Sequence, residues 1–245
     1  MGDITAVILA AGMGVRMGPR GQLMPKGLIP VGGVPMVEQS VASLRAWGVG
    51  RIVIVTGHLQ EQYQALFGQS DIELVYNDAY ASTGSLLSLT KGLARVEGAC
   101  VIVESDLIYA PQALEPVDGA GNIFMLSSPT HAGDEVYAWT RADDGVQILD
   151  EISKDRAARG EAPMGEMVGV TGLRADAVPE LRRVAEGILR DTPAEHYEPG
   201  LVALSKRMPV QCHLFDDLPW AEIDDEEMLE RAEREVYPKV LAARA

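Results

Sequence analysis

Basic residues are scarce in this chain. Its 245 residues include 21 Lys and Arg against 36 Asp and Glu, which gives a formal net charge of −15. Proteins bind a nucleic-acid backbone or an anionic membrane surface through a basic face, so this balance argues against both partners. No apolar run approaches the roughly 18 residues of a spanning helix, and the sequence opens without the basic segment of a secretory signal. We therefore expect a cytoplasmic protein that binds neither nucleic acid nor a membrane.

Cysteine and aromatic residues are also rare. The two cysteines, Cys100 and Cys212, each lie in an apolar run, which predicts small buried thiols rather than a disulfide framework or a metal pair. Aromatic residues make up 5% of the chain against a hydrophobic share of 47%. Aliphatic side chains and alanine must therefore form the core. This apolar content excludes a disordered chain and a coiled coil.

Short apolar runs alternate with amphipathic segments through the first hundred residues. Such runs are typical of strands that are buried on both faces of a parallel sheet, with helices between them. The predicted strands are 4–10, 51–56, 72–76 and 100–104, and the predicted helices are 36–47, 59–67 and 84–94. This order predicts an α/β protein with a Rossmann-like, doubly wound, mostly parallel mixed sheet. Ligands of such a sheet bind at the carboxyl ends of its strands.

The pattern changes in the second half of the chain. Two strand-like runs flank an Asp-Gly turn, which predicts a β-hairpin. The predicted strands here are 135–141, 146–152, 167–173 and 210–215, and the predicted helices are 175–189, 194–206 and 226–241. Since there is no repeat and no convincing linker, we expect residues 1–245 to form one domain with a small antiparallel extension.

A glycine-rich segment without acids follows the first predicted strand. Residues 11–17 read Ala-Gly-Met-Gly-Val-Arg-Met, and no Asp or Glu occurs from position 4 to position 37. The same stretch carries Arg16, Arg20 and Lys26. Glycines let backbone N–H groups approach a polyphosphate closely, and local positive charge in an acidic chain favours an anion. The spacing is neither that of a Walker A loop nor that of a dinucleotide fingerprint, so a phosphate site of another kind is predicted.

Several motifs resemble those of a known family. Residues 9–17, followed by Pro25-Lys26, Val31 and Pro35, resemble the amino-terminal signature of the nucleoside-triphosphate transferase superfamily. Its members are pyrophosphorylase-like enzymes that build nucleotide-diphospho sugars and related activated alcohols. Residues 77–86 look like the base-contacting loop of this family.

Two acidic motifs extend this resemblance. Glu104-Ser105-Asp106 looks like the acidic motif after the fourth strand, although its first acid is often Asp. The form Trp220-Ala221-Glu222-Ile223-Asp224 is most similar to the CTP-using branch. That branch includes CTP:phosphocholine cytidylyltransferases and the cytidylyltransferases of phosphonate metabolism.

The resemblance implies a fold and a reaction. The fold would be that of the nucleotide-diphospho-sugar transferases, with residues 1–110 as the nucleotide-binding half and 111–245 as the acceptor-binding half. The reaction would move CMP from CTP to a small phosphonate or phosphate monoester and release pyrophosphate, with Mg²⁺ as cofactor. The named acceptors are 2-aminoethylphosphonate, 2-hydroxyethylphosphonate and phosphocholine. Relatives are often dimers, so a homodimer is compatible with this interpretation.

Three alternative functions stay open. Two are enzymes: a sugar-1-phosphate nucleotidyltransferase that uses UTP, dTTP or GTP, and a guanylyltransferase of the molybdenum-cofactor type. The form of the 220–224 motif disfavours both. The third is a nucleotide-binding regulatory protein without catalysis, which the joint presence of Lys26, Asp106 and Asp224 argues against.

The resemblance also assigns roles to individual residues. Arg16 would hold the β- and γ-phosphates, Lys26 would lie over the α-phosphate, and Asp106 with Asp224 would hold the magnesium ion; Arg16, Lys26 and Asp106 are the predicted catalytic residues. A phosphate or phosphonate dianion is already a nucleophile, so the reaction needs no general base. The predicted nucleotide-binding residues are Leu9, Ala10, Ala11, Gly12, Met13, Gly14, Val15, Arg16, Lys26, Thr83, Gly84, Ser85 and Glu104.

The predicted acceptor-binding residues are chosen by their positions next to predicted strands, so this prediction is less specific than that for the phosphate site. The predicted set is Lys154, Glu166, Trp220 and Glu222. An aromatic cage for an ammonium group could form from Trp220 with Tyr137 and Trp139, although the last two share one strand face and could equally pack in the core.

Other polar residues are expected to be structural. We predict that Asp225, rather than Asp224, caps the helix that follows it. His58 follows a strand and could border the base pocket or lie in a turn, and the remaining histidines, His131, His196 and His213, are expected to be structural or solvated.

Overall fold

The computed structural model describes residues 4–244. Its strands are β1 (Thr5–Ala10), β2 (Pro30–Val31), β3 (Val34–Pro35), β4 (Arg51–Thr56), β5 (Glu73–Tyr76), β6 (Cys100–Glu104), β7 (Leu107–Tyr109), β8 (Ile123–Ser127), β9 (Tyr137–Asp143), β10 (Val146–Ser153), β11 (Gly165–Leu173), β12 (Gln211–Phe215) and β13 (Trp220–Glu222). Its helices are α1 (Gly18–Leu23), α2 (Met36–Trp47), α3 (Gln60–Phe67), α4 (Ser85–Leu93), α5 (Ala177–Asp191), α6 (Glu198–Ser205), α7 (Glu226–Arg231) and α8 (Tyr237–Arg244). A π-helical stretch, Ala232–Val236, joins the last two.

One nine-stranded sheet runs through both halves of the chain, in the order β5-β4-β1-β6-β11-β8-β12-β10-β9. The first four strands are parallel, and β11 lies antiparallel to β6 and β8. This confirms the predicted α/β, Rossmann-like mixed sheet. An additional pairing of β9 with β11 closes β11, β8, β12, β10 and β9 into a ring. The parallel part positions the glycine-rich segment, and the ring supplies the opposite wall of the cleft described below.

The core lies on both faces of this sheet. The central strands β1, β4 and β6 are almost entirely buried, as their continuous apolar runs predict. Both cysteines are free and buried, as predicted. Among residues 4–244, no helix is long and apolar enough to cross a membrane.

Most predicted elements are confirmed. The short strands β2, β3, β7 and β13 were not predicted, the predicted helix 226–241 is divided into α7, a π-helical stretch and α8, and three further regions differ. Helix α2 and strands β4 and β6 have the predicted bounds. The glycine-rich segment contains the short helix α1, which begins at a Gly-Pro pair suited to a first turn. Strand β8 was not anticipated because a lone apolar run of five residues has no diagnostic period.

The third difference concerns the predicted helix 194–206. It begins only at Glu198. The preceding residues have another role: the carbonyls of Pro193 and Glu195 accept hydrogen bonds from the amides at the start of α4.

The small antiparallel pair β7–β13 joins distant parts of the sequence. Glu222 pairs with Leu107, and the amide of Ile223 donates to the carbonyl of Asp106 at 3.0 Å. The two acidic motifs of the sequence therefore lie side by side, although more than a hundred residues separate them.

Candidate active site

A cleft of about 900 Å³ lies at the carboxyl ends of β1 and β6. This is the edge where the connections of a parallel sheet place a ligand. Residues from both halves of the chain line it: Leu9, Ala10, Ala11, Gly12, Met13, Arg16, Lys26, Gly27, Tyr63, Tyr80, Thr83, Gly84, Ser85, Ser88, Glu104, Ser105, Asp106, Val136, Glu151, Ile152, Ser153, Lys154, Met167, Glu195, His196, Tyr197, Glu198, Pro199, Val202, Ala203, Lys206, Glu222 and Asp224.

The glycine-rich segment forms one end of the cleft, which we call the phosphate end (residues 9–26). Gly12 has open space around the position that a Cβ would take, so its backbone is accessible to a ligand. Gly14 has a left-handed φ of 59°, and a Cβ there would approach Lys26 Cγ to 2.9 Å. It thus shapes the loop around Lys26 and does not itself line the cleft. Val15 is 74% exposed and also lies outside the lining.

Lys26 lies between the two acidic motifs. Its ammonium contacts both Asp106 and Asp224. Burial lowers the pKa of Lys26, but the two neighbouring carboxylates outweigh burial and raise it. Asp224 itself is only 2% exposed. A buried carboxylate needs such compensation, and Lys26 supplies it with a charged group that also lines the cleft.

Arg16 links the phosphate end to the other side of the cleft. Its guanidinium lies 2.6 Å from Asp224 Oδ2 and also contacts Asp134. Asp134 in turn accepts a hydrogen bond of 2.7 Å from Lys154. Burial acts to raise the pKa of Asp134, but hydrogen bonds from Lys154 and Arg16 lower it below the usual range. The predicted phosphate-binding arginine and the predicted acceptor-binding lysine therefore share one carboxylate.

Further ionisable groups line the same cleft, with Glu104 and Glu222 next to Asp106, and we call them the acidic end (Glu104, Tyr197, Glu198 and Glu222). Burial, followed by the charges of Asp106 and Glu198, raises the pKa of Glu104 to about 8. Burial also raises the pKa of Glu222 and of Glu198. Buried carboxyl groups that lie close together have raised pKa values, because burial and mutual repulsion disfavour their charged forms. A cation bound between them would lower these pKa values again.

Three of the acids could hold a metal ion. One carboxylate oxygen from each of Glu104, Asp106 and Glu222 lies within 4.8 Å of the others. Hard oxygen donors of this kind suit Mg²⁺. The predicted pair was Asp106 with Asp224; the structure brings Asp106 into the cluster, while Asp224 contacts Lys26 and Arg16.

The loop predicted to contact the base, residues 77–86, lies on one wall of the cleft. Asn77 holds this loop in place through two hydrogen bonds: its Nδ2 donates to Ser88 Oγ at 3.0 Å, and its Oδ1 accepts from the Ala79 amide at 3.1 Å. The predicted residues Thr83, Gly84 and Ser85 all line the cleft. Thr83 Oγ1 donates to Ala79 O at 2.8 Å, so its hydroxyl oxygen can still accept from a ligand.

The predicted acceptor residues divide between two places. Lys154 and Glu222 line the cleft, whereas Glu166 and Trp220 line a small adjoining pocket that shares Glu222 with it. The Glu166 carboxylate accepts hydrogen bonds from the amide and hydroxyl of Thr130 at 2.5 and 3.0 Å. Burial raises the pKa of Glu166 to about 7. The structure thus places Glu166 where it anchors the loop that carries Asp134.

The suggested aromatic cage is not formed at the cleft. Trp220 is buried and donates its indole N–H to Ser127 Oγ at 2.9 Å. Trp139 is 1% exposed and donates to Glu161 O, and Tyr137 is buried on the same strand. Tyr137 and Trp139 pack in the core because the face of β9 that they share is turned inward. Core packing is the alternative that their spacing in the sequence also allowed.

Several cleft residues were not predicted. Tyr63, His196, Tyr197, Glu198 and Lys206 belong to this set. None lies in a motif with a diagnostic spacing, and His196 was expected to be structural or solvated. His58, by contrast, lies outside the lining and bonds to Gly21 O at 2.9 Å. Asp225 caps α7 through Met228 N at 2.8 Å, as predicted.

Taken together, a cationic phosphate end and an acidic end at the carboxyl edge of a Rossmann-like sheet define a nucleotidyltransferase. Residues 6–117 match the family described as MobA-like NTP transferase domain. The chain is 31% identical over 193 residues to 2-aminoethylphosphonate cytidylyltransferase of Lancefieldella rimae, covering 78% of this chain and 75% of that protein. The chain therefore belongs to the nucleoside-triphosphate transferase superfamily and groups with its cytidylyltransferases.

Two further likenesses agree with this family. CMP-5'-(3-aminopropyl)phosphonate synthase of Streptomyces rubellomurinus is 26% identical over 246 residues; the match covers 91% of this chain and 37% of that one. The solved structure of CTP:phosphocholine cytidylyltransferase from Streptococcus pneumoniae superposes with a TM-score of 0.78 at 19% identity, covering 94% of this chain and 98% of the other. At that identity the second likeness supports the fold alone.

Proposed function

We propose that this enzyme transfers CMP from CTP to a small phosphonate or phosphate monoester that carries an ammonium group. The acceptor oxygen attacks the α-phosphorus of CTP, a new P–O bond forms, and the bond to the β-phosphate oxygen breaks with release of pyrophosphate. The observation that carries this proposal is the pairing of a cationic end and an acidic end in one cleft. The names of the relatives from Lancefieldella rimae and Streptomyces rubellomurinus support the choice of CTP and a phosphonate.

The phosphate end supplies the charge that the triphosphate requires. Open backbone at Gly12 and the guanidinium of Arg16 would hold the β- and γ-phosphates, and Lys26 would lie over the α-phosphate. Phosphoryl chemistry of this kind depends on positioning and charge neutralisation more than on proton transfer. The carboxylates that now pair with Arg16 and Lys26 would exchange these partners, in part, for phosphate oxygens.

A divalent ion is expected to take part. Asp106 and Asp224 are the residues that would hold it, and Glu104 and Glu222 offer oxygen atoms beside Asp106. When bound, the ion would neutralise charge on the α-phosphate and the acceptor. Burial raises the pKa of Glu104 and of Glu222, which fits a site that is completed by a cation.

The acidic end favours an ammonium-bearing acceptor over a neutral one. Glu198 lies at the start of α6 and its Oε2 is buried without a hydrogen-bond partner among residues 4–244. An unpartnered carboxylate oxygen in a cleft is costly unless a cation or a donor reaches it. An ammonium group would satisfy it, and Lys154, which also lines the cleft, would pair with the phosphonate.

The test is a pyrophosphate-release assay with Mg²⁺ that crosses CTP, UTP, GTP, ATP and dTTP with four kinds of acceptor. These are 2-aminoethylphosphonate, phosphocholine, 2-hydroxyethylphosphonate and sugar 1-phosphates. We expect turnover with CTP and an ammonium-bearing acceptor, with the hydroxy analogue clearly slower. Turnover confined to sugar 1-phosphates with UTP or dTTP would overturn the proposed substrates while keeping the phosphate end. Equal rates with the amino and hydroxy phosphonates would remove the role given to the acidic end.

A further inference from the structure

The start of helix α4 packs closely on residues 193–197. The Gly84 amide donates to Pro193 O at 3.3 Å, and the Leu86 amide donates to Glu195 O at 3.2 Å. A Cβ on Gly84 would lie 2.1 Å from Glu195 O, and this atom belongs to the backbone. Since a backbone carbonyl cannot move aside cheaply, only glycine allows the two segments to approach this closely. The loop predicted to contact the base is therefore joined to a second segment of the cleft wall.

The side chain of Ser85 completes this junction. Its hydroxyl oxygen accepts a hydrogen bond of 3.0 Å from the Tyr197 amide and lies 3.5 Å from His196 Nδ1. A hydroxyl has one donor and two acceptor sites, so the bond to Tyr197 occupies an acceptor and leaves the proton free. The contact lies within a well-packed region, because the Tyr197 side chain is only 1% exposed.

The segment that Ser85 holds leads directly into the acidic end. Tyr197 precedes Glu198, the first residue of α6, and its own side chain makes no capping hydrogen bond to this helix. The hydrogen bond to the Tyr197 amide therefore fixes the backbone just before the carboxylate that faces the cleft. Loss of this bond would free that backbone without removing any group that touches a ligand at the acidic end.

We infer that Ser85 is a positioning residue that holds Tyr197 and Glu198 for the acceptor, although it lies in the loop on the nucleotide side of the cleft. The inference rests on the proposed function for the identity of the acceptor. It extends that function by connecting the two subsites through the hydrogen bond between Ser85 and Tyr197. Through this bond, the loop predicted to contact the base sets the position of the residues proposed to bind the acceptor.

Amide exchange tests the connection without any substrate. In the Ser85→Ala variant, we expect the Tyr197 amide to exchange with deuterium about 2- to 10-fold faster than in the parent enzyme, the range expected for one lost hydrogen bond. Ser82→Ala is the matched control, because Ser82 lies in the same loop and bonds only to Ala79 O, at 3.3 Å. Unchanged exchange at Tyr197 in Ser85→Ala would overturn the inference.

Steady-state kinetics then test its consequence. We expect Ser85→Ala to raise the KM of the ammonium-bearing acceptor by about 2- to 10-fold, with the KM of CTP changed less than about twofold. Ser85→Thr retains the hydroxyl and should restore much of the acceptor KM. A rise in the KM of CTP alone would make Ser85 a base contact and overturn the inference. If the parent enzyme fails to use the acceptor, the proposed function fails, and the exchange result still decides the connection.

Discussion

The two ends of the cleft are built in different ways. The phosphate end comes from one continuous stretch, residues 9–26, whose glycines and cations stand close together in the sequence. The acidic end is assembled from β6, the start of α6 and β13, and its main members are Glu104, Glu198 and Glu222. A contiguous site can be inferred from its spacing, whereas a composite site depends on which strands become neighbours. In the proposed function, the first end would bind the triphosphate of the nucleotide and the second would bind the acceptor.

The largest expected effect concerns the phosphate end. Lys26→Ala should lower kcat/KM at least about a hundredfold, because it removes the cation proposed to lie over the α-phosphate. It also leaves the buried Asp224 without one of its partners, so thermal unfolding should be recorded alongside the rate.

Lys91→Ala is the matched control for this variant. Lys91 also pairs with an aspartate, Asp78, at 2.8 Å, but the pair lies on the surface of α4. Activity within about twofold of the parent is expected there, since exposed ion pairs contribute little. If Lys26→Ala were as active as Lys91→Ala, the catalytic role of Lys26 would be wrong.

The next prediction tests the acidic end. Glu198→Gln should lower kcat/KM for the ammonium-bearing acceptor about tenfold or more, and should affect 2-hydroxyethylphosphonate much less, because only the former loses a charge partner. Glu151→Gln removes an acid from another part of the cleft lining and serves as control. Equal losses in the two variants would mean that net charge, rather than the position of Glu198, governs acceptor choice.

The pocket beside the acidic end should make stability depend on pH. The pKa of Glu166 is raised from 4.5 to about 7, so its stabilising contribution is present at pH values below 4.5 and is lost as pH rises through about 7. The free energy of unfolding of the parent, measured with denaturant, should therefore fall between pH 5 and pH 8 by on the order of 1–2 kcal/mol more than that of Glu166→Gln. Parallel pH profiles for the two proteins would contradict this.

The smallest expected effect is on stability, and it distinguishes Asp225 from the adjacent Asp224. Asp225→Ala should lower the free energy of unfolding by about 1 kcal/mol through loss of the helix cap, with activity nearly unchanged. Glu227→Ala, in the first turn of the same helix, is the control. Asp224→Ala should show the opposite balance, with a large loss of activity. A large loss of activity in Asp225→Ala would show that the two positions are not functionally distinct.

The sequence predicted the parallel part of the fold well for a physical reason. Strands buried on both faces require continuous apolar runs, and β1, β4 and β6 have them. The second half was harder. β8 is five residues long, and the start of the predicted helix 194–206 was wrong because backbone bonds from α4 compete for its first residues. Such tertiary contacts leave no local pattern.

The candidate site shows the same limit. Arg16, Lys26 and Asp106 were expected together, and the structure places all three in one cleft. Tyr197 and Glu198 carry no motif, and they line the cleft because the segment before α6 is hydrogen-bonded to the start of α4. Trp220 and Glu166 were predicted at the acceptor, yet they line the small pocket, where the indole of Trp220 bonds to Ser127. Their roles at the acceptor stay predictions.

The pairing of β7 with β13 has a consequence for the order of events during folding. The carboxylates of Asp106 and Asp224 reach Lys26 together only when residues 220–224 pair with β7, more than a hundred residues earlier in the chain. Contacts of such long sequence separation close a large loop, whose entropy must be lost before the contacts stabilise the chain. A chain that is still folding would therefore lack the complete binding site, and nucleotide or metal added to it should stabilise only the finished protein. The same small pair of strands would thus make ligand binding a test of whether the distant halves of the chain have come together.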